Sequence, residues 1–263
     1  MSSIIIVFRY TLGTILKLAA NILCYPFSRI ARHRLAAAYD AMQFSFYGPA
    51  YVEISDLLTN NELELQLAPF KSNLHNTTSF ELASIAAMVK DKKCNTIFEI
   101  GTFDGRTTRA MALNLKNENG KIYTLNLPPQ TESVSLQTGE VDVQLASKVV
   151  SGERFINTPQ AKQIEQVWGD SAAFDFTPYQ HQMDLVFIDG AHGEDYVAND
   201  TAKALQLIKP TGGWIIWHDA PYFGVVKYLE KWVPKQNGPV YFIKGTSLAV
   251  AFIKNNKVAT PVL

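Results

Sequence analysis

The 263 residues are 47% hydrophobic and 18% charged, an ordinary globular composition. The chain is long enough to bury a full core, as one large α/β domain with extensions or as two small domains. Formal net charge is zero, which removes any global field that would argue for nucleic acid. Cys24 and Cys94 stand far apart with no CxxC, so neither a disulfide framework nor a cysteine zinc site is encoded, and a reducing compartment is the plain reading.

The charge is unevenly placed. No acidic residue precedes Asp40, while Arg9, Lys17, Arg29, Arg32 and Arg34 are basic, an asymmetry that points to an anionic surface near the N-terminus. On a helix, Arg9, Gly13, Lys17 and Asn21 share one side and Ile, Leu, Val and Ala the other. Residues 1–45 are therefore expected as an amphipathic, basic helical extension. A surface-lying or partner-packed helix fits better than a membrane span, a signal anchor or a core helix. The expected location is cytoplasmic, with peripheral membrane contact through this segment.

Residues 46–263 are expected as one α/β domain. After a mixed stretch to about residue 75, "TTSFELASIAAMVK" opens with Thr78 and Glu81 at capping-box spacing and continues with Leu82, Ile85, Ala86 and Val89 on one helix face. "NTIFEIG" reads as a strand, "RTTRAMALNLKNENG" as a helix stopped by Gly120, and "KIYTLNL" as a strand. Residues 128–163 lack periodicity and read as a long loop with a short helix. "EQVWGDS" and "DLVFIDG" are strands, "EDYVANDTAKALQLIKPTGG" a helix, "WIIWHDA" a strand and "GVVKYLEKWV" a helix. "VYFIKGTSLAVAFIK" makes two strands around Gly245-Thr246. This alternation predicts a doubly wound, mostly parallel, Rossmann-like sheet with an antiparallel edge strand pair.

In open α/β sheets, ligands sit beyond the carboxyl ends of the strands. Those ends carry Glu99–Gly105, Asn126, Gly169–Ser171, Asp189–His192 and His218–Asp219, where most of the unusual polar residues fall. In "FEIGTFDGRTT", Gly101 permits a sharp turn and Gly105 a close backbone approach, ahead of a helix start with free N–H groups. Glu99 would disfavour a pyrophosphate and suit a cation or amine. Trp168, Trp214, Trp217, Tyr222 and Phe223 cluster around the same ends. Trp214 and Trp217 point to opposite faces by odd spacing, so at least one is expected in the core.

"FEIGTFDGRTT" resembles motif I of class I S-adenosylmethionine-dependent methyltransferases. The likeness continues through "YTLNLPP", "VWGDSAAFDFTPY", "DLVFIDGAHGEDYVANDTAKAL", "LIKPTGGWIIWHD" and "GTSLAV", over roughly residues 75–250, and is nearest the small-molecule O-methyltransferase-like branch. The resemblance implies transfer of a methyl group from S-adenosylmethionine to an oxygen of a small molecule, such as a sugar or glycolipid. It places Glu99, Gly101, Thr102, Gly105 and Arg106 around the methionine end of the cofactor, Asn126 at the ribose, Asp170 and Ser171 at the adenine, and Asp189 at the crevice. Asn126 departs from the acidic residue usual at its position.

The same resemblance gives Asp189, His218 and Asp219 as ligands of a divalent cation, magnesium or manganese, and His192 or His218 as the general base. His218 stands where a carboxylate is usual. Two other readings use these residues. One is a methyltransferase-like module that binds without turnover. The other is a serine hydrolase built on Ser171, Asp189 and His192. The sequence is silent on oligomeric state.

Overall fold

A computed structural model describes residues 50–60, 62–68, 76–146 and 150–261, and Ala19 among the first 49. The chain divides into two units, Met1–Tyr47 and Gly48–Leu263. The expected amphipathic helix, its basic residues, its membrane contact and Cys24 all lie outside the described residues. Among the described residues, no helix is long and apolar enough to cross a membrane.

In chain order the second unit runs β1 (Ala50–Val52), α1 (Ser79–Asp91), β2 (Thr96–Ile100), α2 (Arg106–Leu113), β3 (Lys121–Asn126), α3 (Glu140–Ala146), β4 (Ile164–Trp168), β5 (Leu185–Ile188), α4 (Glu194–Leu207), β6 (Gly213–Trp217), α5 (Phe223–Trp232), β7 (Val240–Ile243), β8 (Ala249–Lys254) and β9 (Lys257–Ala259). The sheet order is β1-β7-β8-β6-β5-β2-β3-β4, with β9 paired to β8. Strands β4, β3, β2, β5 and β6 pair with one another in parallel, in that order. At the other side β8 inserts antiparallel between β6 and β7, while β7 pairs parallel with β1.

Side-chain alternation explains how the sheet is covered. Ile97, Phe187, Trp214 and Ile216 share a buried cluster with Ile85, Met88 and Val89 of α1 and Met111 of α2. On the opposite side, Trp217 Nε1 donates to Thr201 of α4 at 2.9 Å, and its ring lies 5.6 Å from Trp232 of α5. Both Trp214 and Trp217 are thus core residues. Strands buried on both faces read as continuous apolar runs, as "LVFI" of β5 does.

The start of α1 follows its sequence signal. The Thr78 hydroxyl accepts from Glu81 N, and Glu81 Oε2 accepts from Thr78 N at 2.6 Å. Helix α2 stops at Leu113, well short of Gly120. Asn114 ends it, donating Nδ2 to Ala110 O and to Gln66 O, both at 2.8 Å. The helix in the aperiodic 128–163 region is α3.

The connections fix where a ligand can sit. From β2 the chain steps outward to β3 and β4, then returns to place β5 and β6 on the other side of β2. The switch therefore falls between β2 and β5, whose carboxyl ends carry Glu99–Gly101 and Asp189–His192.

Candidate active site

One open cleft occupies this switch point, with about 1000 Å³ of empty space including its mouth. That is at the upper end of small-molecule sites, about 300–1,000 Å³. Glu99, Gly101, Thr102, Arg106, Asn126, Asp170, Ser171, Asp189 and His192 line it together, so nine residues singled out from the sequence converge on one space. Gly105 is not among the lining residues; it is the N-cap of α2 at φ +81°, packed against Phe155 and Gly152. His218 and Asp219 border it through Asp189 and His192.

The floor of the cleft is built for a close approach. Gly101 has φ +100°, and a Cβ there would lie 2.0 Å from the carbonyl oxygen of Asp189. Beside it Glu99 is fully buried. Its Oε2 accepts from the hydroxyls of Thr108 and Thr124, and its Oε1 has no hydrogen-bond partner. Burial pushes the Glu99 carboxyl up to about 8, against the pull of the two threonine hydroxyls. A buried acceptor without a partner is costly, on the order of 1–3 kcal/mol. Glu99 therefore fits a ligand that brings a donor, best a cationic one.

Asn126 and Asp170 are engaged with the chain itself. Asn126 Oδ1 accepts from Thr102 N at 3.3 Å, and Nδ2 donates to Ala146 O at 2.7 Å and to Leu127 O at 3.1 Å. Asp170 accepts from Ser135 N, Ala172 N and the Tyr196 hydroxyl. Burial would raise its pKa, but these bonds outweigh burial and lower it.

Beyond Asp189 the cleft meets an alternation of carboxylates and imidazoles. Glu81 Oε2 lies 3.5 Å from His218 Nε2, and His218 Nδ1 lies 3.0 Å from Asp189 Oδ1 and 3.7 Å from Asp219 Oδ1. His192 Nε2 lies 3.2 Å from Asp219 Oδ2 and 4.0 Å from Asp189 Oδ1. His192 Nδ1 is 3.0 Å from Asp142 Oδ1, and its backbone N donates to Asp142 Oδ2 at 2.9 Å. Burial alone would lower both imidazoles. Asp142 and Asp219 outweigh it and push His192 up to about 10, while Asp189, Glu81 and Asp219 hold His218 well above its ordinary value. Burial likewise opposes ionisation of Glu81, Asp142 and Asp219, yet the imidazoles lower all three.

The geometry bears on two further expectations. Asp189 and Asp219, given with His218 as metal ligands, each face an imidazole, and among the described residues no group of three or more His, Cys, Asp or Glu side chains is arranged to hold a metal ion. Ser171, given as a hydrolase nucleophile, does not meet His192. The Ser171 side chain hydrogen-bonds Asp200, while the two nitrogens of His192 face Asp142 and Asp219.

Sequence reasoning missed Asp142, Glu81, Thr108 and Thr124 as parts of the site. Glu81 carried only its capping signal. Asp142 sits in an aperiodic region and carried none. Thr108 and Thr124 fall on buried positions of α2 and β3, where a hydroxyl aimed at Glu99 looks like core filler.

Residues 98–220 match the family model described as a methyltransferase domain. No curated protein matches the chain. Among solved structures the chain is similar to the O-methyltransferase TomG from Streptomyces achromogenes, involved in tomaymycin synthesis and in complex with SAM. The identity is 18%, over 68% of this chain and 81% of that one, with TM-score 0.48. It is also similar to an O-methyltransferase from Bacillus cereus in complex with SAH (17% identity, 69% and 84% covered, TM-score 0.47) and to SAH-bound PaMTH1 from Podospora anserina (14% identity, 68% and 80% covered, TM-score 0.49). The matched span from Phe98 to Ala220 takes in motif I on β2 and α2 and most of the residues that line the cleft at the switch point, so this part of the second unit is similar to a methyltransferase domain.

Proposed function

We propose that the protein transfers the methyl group of S-adenosylmethionine to a hydroxyl oxygen of a small neutral or cationic molecule. The observation that carries the donor is Glu99 Oε1, a buried acceptor without a partner in the cleft lined by Gly101. When bound, S-adenosylmethionine supplies an electrophilic methyl group on a positively charged sulfur, together with an ammonium that suits Glu99.

The acceptor side is the group of Asp189, His192, His218 and Asp219, bordered by Tyr222 and Phe223. The Phe223 ring is half-exposed and lies 5.6 Å from that of His192. Asp219 and Phe223 have φ +50° and +54°, strained values for residues with side chains, and such strain concentrates at functional sites. With both imidazoles protonated, the four carboxylates of Glu81, Asp142, Asp189 and Asp219 leave the cluster negative, which disfavours an anionic acceptor.

His192 is the base in this reading. A hydroxyl that enters between Nε2 and Asp219 replaces a charged partner by a neutral one and weakens the hold of the ring on its proton. Once that proton has left to solvent, Nε2 takes the acceptor proton as the acceptor oxygen takes the methyl group. Positioning within one dry cleft supplies the rest.

A binding module without turnover is the second reading. It is favoured by Asn126 and Asp170, whose hydrogen-bonding groups are taken up by the 127–146 segment and Tyr196. Calorimetric titration with S-adenosylmethionine and S-adenosylhomocysteine tests the donor, and methyl release onto a panel of hydroxylated acceptors tests turnover. Binding of neither ligand rejects the enzyme. Binding without turnover onto any acceptor favours the module.

A membrane-proximal acceptor such as a glycolipid is proposed from the basic, apolar N-terminus alone. Deleting residues 1–39 is expected to release the protein from membranes while donor binding survives. Unchanged fractionation rejects it.

A further inference from the structure

We propose that Asp142 is a positioning residue for the reaction, carried on a wall of the donor cleft so that His192 takes its working orientation only when that wall is shut. The inference rests on the methyltransferase reading of the site.

Asp142 stands on α3, in the segment between β3 and β4. The same short helix contributes Val143 and Ala146 to the cleft, and Ala146 O accepts from Asn126 at the end of β3. The element that borders the donor therefore also holds the imidazole. Contact with the turn after β5 extends beyond this pair. A Cβ on Gly193, next to His192, would lie 2.3 Å from Gln137 O, so the chain entering α3 lies directly on that turn.

The grip has two points. Asp142 Oδ1 meets His192 Nδ1, and Oδ2 accepts from the His192 backbone N and from the Thr138 hydroxyl. A single surface ion pair would leave the ring free to rotate. This arrangement fixes both the ring and the turn that carries it, and leaves Nε2 aimed at Asp219 and Asp189. A carboxylate that holds one imidazole nitrogen while the other faces the reacting hydroxyl is a recurrent way to orient a base. Here the carboxylate comes from a segment outside the β–α alternation, so closing the cleft and aiming the base are one event.

The groups that face His192 are Asp142 from α3, Asp189 from the end of β5, Asp219 after β6 and the Phe223 ring from α5. His218, the second cation, shares Asp189 and Asp219. Removing the charge of Asp142 leaves Asp219 as the nearest anion.

The test uses the full chain, free and saturated with S-adenosylhomocysteine, with histidine ring NMR titration and amide hydrogen exchange. Asp142→Asn is expected to lower the His192 midpoint by at least one pH unit and to speed exchange across residues 134–146 at least tenfold. His192→Gln is expected to speed the same amides by a similar factor. The double variant is expected to add nothing beyond either single one. An unchanged His192 midpoint in Asp142→Asn, or exchange effects that multiply in the double variant, overturns the proposal. Failure of the unaltered protein to bind S-adenosylhomocysteine would instead overturn the methyltransferase reading, and the ligand-free titration and exchange would still decide the coupling of Asp142 to His192.

Discussion

His218 Nδ1 stands 3.0 Å from Asp189 Oδ1, with Glu81 on the other side of the same ring. The imidazole is therefore a buried cation between carboxylates rather than a free base. Its folded-state pKa is raised, so its stabilising contribution is complete below the unfolded value, about 6.5, and is lost as pH rises through the folded value. His218→Gln removes that cation and leaves three carboxylates facing one another. Breaking a buried pair costs about 3–5 kcal/mol. Urea unfolding at pH 7 is expected to show a loss near the lower end, shrinking as pH rises through the raised folded value and the unaltered protein loses its own proton. A loss that does not change with pH would contradict the charged assignment.

Glu99 is expected to make S-adenosylmethionine binding depend on pH. With its pKa near 8 in the free site, most of the carboxyl is protonated at neutral pH, yet a cationic ligand requires it ionised. Affinity for S-adenosylmethionine is expected to rise about tenfold per pH unit below 8 and to level off above it, with proton release that calorimetry in buffers of different ionisation enthalpy detects. Glu99→Gln should flatten the profile and weaken binding at pH 9 by roughly 10- to 100-fold, the equivalent of a charged hydrogen bond. A profile equally flat in the unaltered protein would remove Glu99 from the ammonium site.

Asn126 has a different consequence from the one its position suggested. From sequence alone, Asn126→Asp should restore the usual acidic group and leave cofactor binding equal or tighter. The amide Nδ2, however, donates to the carbonyls of Leu127 and Ala146. An aspartate would set a carboxylate against both oxygens, at a cost of about 1–3 kcal/mol. Asn126→Asp is thus expected to bind S-adenosylhomocysteine roughly 5- to 100-fold more weakly, measured by titration, with faster amide exchange in α3. Tighter binding would show that α3 moves aside when the donor enters.

Phe223→Gly should separate stability from function. The positive φ of Phe223 costs about 1–3 kcal/mol, and its ring is half-exposed, so little packing is lost with it. A net gain of about 1 kcal/mol would raise the thermal midpoint by about 2–4 °C for a domain of this size. Methyl transfer to any acceptor found should fall at the same time. A lower midpoint would show that the ring packs more than its exposure implies.

The sheet was legible because its strands are apolar runs of fixed length between helices with 3.6-residue periodicity. The Thr78–Glu81 box marked the start of α1 to the residue. Short pieces were not legible. Strand β1 has three residues, and β9 is reached through a two-residue turn, Asn255-Asn256 at φ +52° and +59°, whose Asn-Asn signal carries less weight than Asn-Gly. The cleft residues were found because strand ends are a place, and a place can be read from topology. Partners arriving from elsewhere could not be read in this way. Asp142 comes from an aperiodic loop, Glu81 from a helix start and Ser247 from a hairpin.

That last convergence has a physical consequence. The Glu81 carboxylate closes the first turn of α1 through Thr78, receives the Ser247 backbone N and hydroxyl ahead of β8, and faces His218. One side chain thus belongs at once to a helix end, a sheet connection and the charged cluster. Fraying of that helix end, ordinarily among the cheapest local openings in a protein, must here unseat the cluster as well. The N-terminal turn of α1 should therefore be as slow to exchange its amides as the middle of the helix, and its exchange rate becomes a remote gauge of whether the cleft end of the sheet is intact.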